Sequence, residues 1–123
     1  MEVDMTTTIE SRVIAVDFDG VIRHYDLIPI QELGNHDWEN DLRAGPIEGA
    51  FSALKMLVDS GYKVVIFTSR VNHDRVREWA DRYPEGSIIR KLEITNVKPI
   101  AMAYIDDRGI RFTNWPDMLK YFM

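Results

Sequence analysis

Three short apolar runs in this chain each break off into polar residues that carry chemistry. Val13-Ile14-Ala15-Val16 runs into Asp17-Phe18-Asp19-Gly20, Val64-Val65-Ile66-Phe67 into Thr68-Ser69-Arg70, and Ala103-Tyr104-Ile105 into Asp106-Asp107. A run that is apolar at every position, rather than at every second one, is the pattern of a strand buried on both faces of a parallel sheet. Parallel neighbours need crossovers, and helical periodicity fills the gaps. Ile47, Ala50, Phe51, Leu54, Leu57 and Val58 repeat at three- and four-residue intervals. They predict a helix over 46–60, with Pro46 in its first turn and Gly61 as its stop. Asn72 or Asp74 is placed to cap a second helix carrying Val76, Trp79, Ala80 and Tyr83, ended by Pro84 and Gly86.

Strand, helix, strand, helix, strand alternation defines an α/β chain built of βαβ units, with helices expected on both faces of the sheet. Weaker signals place one or two strands over 88–94 and a short helical turn at Lys98-Pro99. An edge strand is expected at Arg111-Phe112, and a last helix over 116–121. Residues 1–11 read as a flexible N-terminal tail, 12–123 as one domain, and 23–45 as a flap or loop insertion of the functional kind.

Composition narrows the function classes. The chain has 123 residues, no cysteine and a formal net charge of −5. Zero cysteines remove disulfides, thiolate zinc sites and cysteine nucleophiles, and leave a cytoplasmic location as the default. No apolar run approaches the ~18 residues of a membrane span, and the polar start is no signal peptide. An acidic balance argues against wrapping nucleic acid but not against recognising a phosphate end.

In a parallel sheet, ligands bind outside the carboxyl ends of the strands, so the three polar endings converge there. Residues two apart on a strand project to the same side, so Asp17 and Asp19 face one point while Phe18 turns inward. A calcium loop is rejected, because its remaining ligand, glycine and glutamate positions hold Val21, Arg23, Ile22 and Ile28. Taken singly, Asp106-Asp107 reads as a solvated turn, Thr68 as a β-branched strand residue and Lys98 as a surface lysine. Gathered together, the carboxylates repel by several kcal/mol per close pair and call for a cation, and all-oxygen ligands suit Mg²⁺. A hydroxyl and a lysine beside that metal are what a phosphoryl group needs.

In order as well as content, these segments resemble the haloacid dehalogenase superfamily of phosphohydrolases. VIAVDFDGVI (13–22) looks like its first motif, VVIFT (64–68) its second, Lys98 its third and AYIDD (103–107) its fourth. The resemblance covers residues 12–113. A receiver domain of two-component signalling has similar parts in another order, with its acidic pair at the first strand and its Lys-Pro after the last.

The resemblance implies a three-layer Rossmann-like fold with a mainly parallel central sheet, and a Mg²⁺-dependent phosphatase acting on a small phosphorylated substrate such as a sugar phosphate or nucleotide. Asp17 would be the nucleophile and Asp19 the acid and base. Thr68 and Lys98 would stabilise the transferring group. The metal would be held by Asp17, Asp19 through its carbonyl, Asp106 and Asp107. Gly20, Ser69, Arg23, Arg70 and Arg108 are the candidate substrate-binding residues.

Neither usual insertion point has room for a cap domain, so the capless type is implied, with 23–45 (Arg23, His24, Tyr25, His36, Trp38, Arg43) left to choose the substrate. Capless relatives often cover the site by oligomerising, so a homo-oligomer is a further expectation. Trp79 and Trp115 read as packing residues. Asp106-Asp107-Arg108 is also similar to the phosphatase half of phage polynucleotide kinases, which adds a polynucleotide 3′-phosphate as an alternative substrate. A non-catalytic phosphate-binding module of the same fold is the third reading.

Overall fold

A computed structural model of the chain describes residues 12–106 and 110–123. The expected tail at 1–11, together with Asp107 and Arg108, lies outside the described residues.

The centre is β1 (Val13–Asp17), paired in parallel on one side with β2 (Lys63–Phe67) and on the other with β4 (Ala103–Asp106). Outside β2 lies β3 (Glu93–Thr95), also parallel, and outside β4 a two-residue fragment, β5 (Ile110–Arg111). The order is β3-β2-β1-β4-β5. The chain therefore steps outward from β1 through β2 to β3, then jumps back across β1 to β4. That reversal makes a topological switch point at the carboxyl ends of β1 and β4, the place where Rossmann-like sheets hold ligands.

Continuous apolarity in β1 has the expected cause. Ile14 and Val16 join Val64, Ile66, Ile94 and Ile105 in the main core, while the alternate residues Val13, Ala15 and Val65 are also buried. The main core is closed by α1 (Ala50–Asp59), α2 (His73–Ala80) and α3 (Trp115–Leu119). Trp79 is fully buried, edge-on to Phe18 at 5.2 Å, and its indole N–H donates to the Ala44 carbonyl at 2.8 Å. Trp115 is buried too and donates to the Val21 carbonyl at 3.2 Å. Among the described residues no helix is long and apolar enough to cross a membrane.

Several boundaries differ from expectation for identifiable reasons. α1 starts at Ala50, not residue 46, because the Ile47 N–H is spent on the Ile22 carbonyl at 2.8 Å and Pro46 bridges Arg23. α2 is capped by Asn72, whose side chain accepts the Arg75 N–H. Residues Gly86–Lys91 form a 3₁₀ turn that buries Ile88 and Ile89, and only Glu93–Thr95 is strand. α3 begins at Trp115, one residue before Pro116, with Asn114 capping the Asp117 N–H. No helix forms at Lys98-Pro99. Tyr104 pairs with Ala15 and so shares its face of the sheet, opposite the main core. Its hydroxyl donates to the Pro99 carbonyl at 2.6 Å. The β3–β4 crossover is thus pinned to that second face as an irregular strap where a helix was expected.

A backbone contact at Gly86 offers a clean test of this packing. A methyl group there would lie 1.8 Å from the Ala80 carbonyl oxygen, whereas one at Gly34 would meet nothing within 4 Å. Gly86→Ala is expected to cost about 3 kcal/mol through forced backbone movement, and Gly34→Ala to be near neutral. Urea denaturation of both variants checks the difference.

Candidate active site

Asp17 ends β1, and the chain then closes on itself. The N–H groups of Val21, Ile22 and Arg23 all donate to the Phe18 carbonyl at 2.9–3.3 Å, and the Gly20 N–H donates to the Arg23 carbonyl at 2.7 Å. Gly20 sits at φ +82°, and a methyl group on it would lie 2.6 Å from Tyr25 Cε2. Only glycine suits both the left-handed backbone and the ring seated on it. The N–H groups after Asp19 are thus committed inside the turn, so Gly20 shapes the loop here rather than presenting a donor to a phosphate.

A cleft of about 640 Å³ opens beside this turn. Asp17, Asp19, Arg23, Thr68, Ser69 and Arg70 line it, together with Tyr25, Asp26, Trp38 and Glu39 from the flap. Six of the residues named from the sequence are therefore brought together from the ends of β1 and β2. Thr68 is buried, its Oγ1 accepting the Arg70 N–H at 3.2 Å.

Asp19 is held by two guanidiniums. Arg23 donates from Nε (3.1 Å) and Nη2 (2.9 Å) to Oδ1. Arg70 donates from Nε to Oδ2 (2.8 Å) and from Nη2 to Oδ1 (3.2 Å). Oδ1 therefore takes three N–H groups and Oδ2 only one among the described residues. A carboxylate has about four lone-pair sites, two per oxygen, so the open one belongs to Oδ2.

Arg23 is itself buried, and its other amino group donates to Asp26 Oδ1 at 2.7 Å. The same oxygen accepts the N–H groups of Ala44 (2.7 Å) and Arg43 (3.2 Å), clamping the two ends of the flap. Burial pushes the Asp26 carboxyl up, but the Arg23 hydrogen bond, the Ala44 N–H, the Arg23 charge and the Arg43 N–H outweigh it and hold it below its ordinary value. His36 is packed under the flap, edge-on to Trp38 at 4.4 Å and 3.5 Å from Asp41, away from the cleft lining. Arg43 is tied to Glu32 and Asp41, and His24 is exposed.

Asp106 ends β4 one residue beyond Ile105, the register partner of Val16, so it stands level with Asp17 on the neighbouring strand. Lys98 is not among the residues lining the cleft; its ammonium lies over the Tyr104 ring, 4.6 Å from the centroid. Among the described residues no group of three or more histidine or carboxylate side chains is gathered to hold a metal. Mg²⁺ needs only one or two carboxylates, with water and phosphate completing its shell. The all-oxygen endings of β1 and β4 fit that demand.

Asp26 and Glu39 carry no sequence signal of their own, since their partners lie 3–33 residues away and belong to no periodic pattern. No protein-family model matches the chain, and no curated protein or solved structure matches it.

A carboxyl held low stabilises the fold fully above its unfolded pKa and loses that contribution as pH falls through the lower folded value. Asp26→Asn is therefore expected to cost about 2 kcal/mol at pH 7. The gap from wild type should narrow below the ordinary aspartate value of 3.8. Thermal melts of both proteins across this pH range measure it.

Proposed function

We propose that this chain is a Mg²⁺-dependent phosphomonoesterase of the capless haloacid dehalogenase type, working through an aspartyl-phosphate. The observation that carries it is the cleft at the carboxyl ends of the parallel strands. There Asp17 and Asp19 stand with a buried threonine hydroxyl and two guanidiniums. The order of motifs along the chain supports the same assignment.

Asp17 attacks phosphorus, and the bond from phosphorus to the leaving oxygen breaks. Asp19 gives that oxygen a proton, carried on Oδ2, the oxygen with an open lone-pair site. Asp19 then takes a proton from the water that attacks the phosphoenzyme. The Asp17–phosphorus bond breaks, and inorganic phosphate leaves with Asp17 restored. Thr68 and Ser69 are the hydroxyls available to orient phosphoryl oxygens, and Arg23 and Arg70 offset their charge. Lys98, whose ammonium lies over the Tyr104 ring and outside the cleft lining, would have to leave that ring to join this group. Asp17, Asp106 and the Asp19 carbonyl would hold Mg²⁺; the resemblance adds Asp107, which lies outside the described residues. The ion would lower the repulsion between an anionic nucleophile and a phosphate dianion.

Substrate selection falls to the flap. Tyr25 and Trp38 are 65% and 56% exposed at the cleft, surfaces on which the ring of a nucleotide or aryl leaving group can lie. A cleft walled on one side by a loop also admits a phosphorylated chain end.

Phosphate release is the decisive measurement, from an aryl phosphate, nucleotides, sugar phosphates and 3′-phosphorylated oligonucleotides. Asp17→Asn is expected to abolish turnover, Asp19→Asn to lower it about 10²–10⁴-fold, and chelation to stop it until Mg²⁺ is restored. Full chelator-resistant turnover in Asp17→Asn would refute the mechanism. A wild type inert to every phosphoester would leave a binding module.

A further inference from the structure

Glu39 is a flap residue with no part in the reaction scheme, yet it is bonded at both ends. Its carboxylate Oε1 accepts the N–H groups of Val71 (2.8 Å) and Asn72 (2.7 Å), the residues leading into α2. Its carbonyl and that of Trp38 accept Arg70 Nη1 at 2.9 and 2.5 Å. Asn40 extends the seam, accepting Asn72 Nδ2 on its side chain (2.8 Å) and Arg75 Nε on its carbonyl (2.6 Å).

This seam fixes how Arg70 can lie. A guanidinium is a rigid planar fork of five N–H groups. The Nε and Nη2 edge of Arg70 meets both oxygens of Asp19, while Nη1 points the opposite way, into the two flap carbonyls. Anchoring Nη1 therefore sets the plane in which the other edge meets Asp19. The Glu39 carboxylate in turn holds the backbone from which Arg70 departs, because it takes the N–H groups of the next two residues, Val71 and the α2 cap residue Asn72.

We propose that Glu39 is a positioning residue for Asp19, acting through Arg70, which rests on Asp19 being the acid and base of a phosphatase. The flap then does more than wall the cleft: one carboxylate on it sets the orientation of a proton-handling group that it never touches. A 1 Å error in such a group costs up to ~10²-fold in rate.

A residue that merely caps α2 would change stability and leave turnover alone, so the test needs readouts that separate the two. Glu39→Ala and Glu39→Gln are compared with wild type for kcat and KM on an aryl phosphate. Hydrogen exchange of the Arg70 Nε–H is followed by NMR, its signal assigned by its loss in Arg70→Lys. Glutamine keeps an oxygen acceptor at Oε1, so it also guards against a poorly folded alanine variant.

Glu39→Ala is expected to lose ~10–10²-fold in kcat with a smaller change in KM, and to speed exchange of the Arg70 Nε–H. Glu39→Gln is expected to restore most of both. Wild-type kcat in Glu39→Ala, or an unchanged Arg70 signal, overturns the proposal. A wild type that turns over no phosphoester defeats the phosphatase assignment instead. The Arg70 signal still decides the link then: accelerated exchange in Glu39→Ala upholds it, and unchanged exchange removes it.

Discussion

The clamp of two guanidiniums on the Asp19 carboxylate is the contact on which the shape of the cleft depends. Arg23 reaches it from the turn that closes β1, and Arg70 from the loop that follows β2. Each arginine carries a second attachment to the flap, Arg23 through Asp26 and Arg70 through the carbonyls of Trp38 and Glu39. A buried arginine without partners would cost several kcal/mol, so the pairing is a requirement of the fold as well as a feature of the site. Two strand ends and a long loop are joined in one connected network, and removing Asp19 would loosen all three.

The scaffold beneath that network was largely legible because it follows from local periodicity. β1 and β2 show as uninterrupted apolar runs since both their faces are buried, and α1 and α2 show as stripes. Failures came where a non-local bond outbid a local preference. Pro46 and Ile47 look like a first helical turn, but the Ile22 carbonyl takes the Ile47 N–H and delays α1 to Ala50. Lys98-Pro99 looks like a turn of helix, but Tyr104 draws both residues onto the sheet.

The site divides in the same way. Asp17, Asp19 and Thr68 were legible because strand ends are marked by pattern, and the topology brings strand ends together. The flap's part was not. Asp26 gathers N–H groups from 17 and 18 residues away, and Glu39 from 32 and 33. Such bonds leave no trace in spacing or composition. His36 and Trp38, which attract notice as a histidine and a tryptophan in one loop, stay in edge-on contact but take different places: Trp38 lines the cleft, and the His36 side chain is buried outside its lining.

The closed turn after Asp19 bears on how such a cleft can take a phosphate. Loops that cradle phosphates do so with free backbone N–H groups, which are neutral and fixed. Here the N–H groups of residues 20–23 are turned inward onto the Phe18 and Arg23 carbonyls. In the proposed phosphatase, recognition would fall instead to side chains, and the cationic ones nearest to hand already hold Asp19. On the proposed reading, an arriving dianion would therefore compete with Asp19 for Arg23 and Arg70. Each N–H drawn toward the phosphate would weaken the hold on the carboxylate that the proposed mechanism asks to carry a proton. In the proposed phosphatase, charge arriving in the cleft and proton handling at Asp19 would thereby be coupled through the same two arginines. A flap that fixes those arginines would govern both, and on the proposed capless reading it would link substrate entry to chemistry.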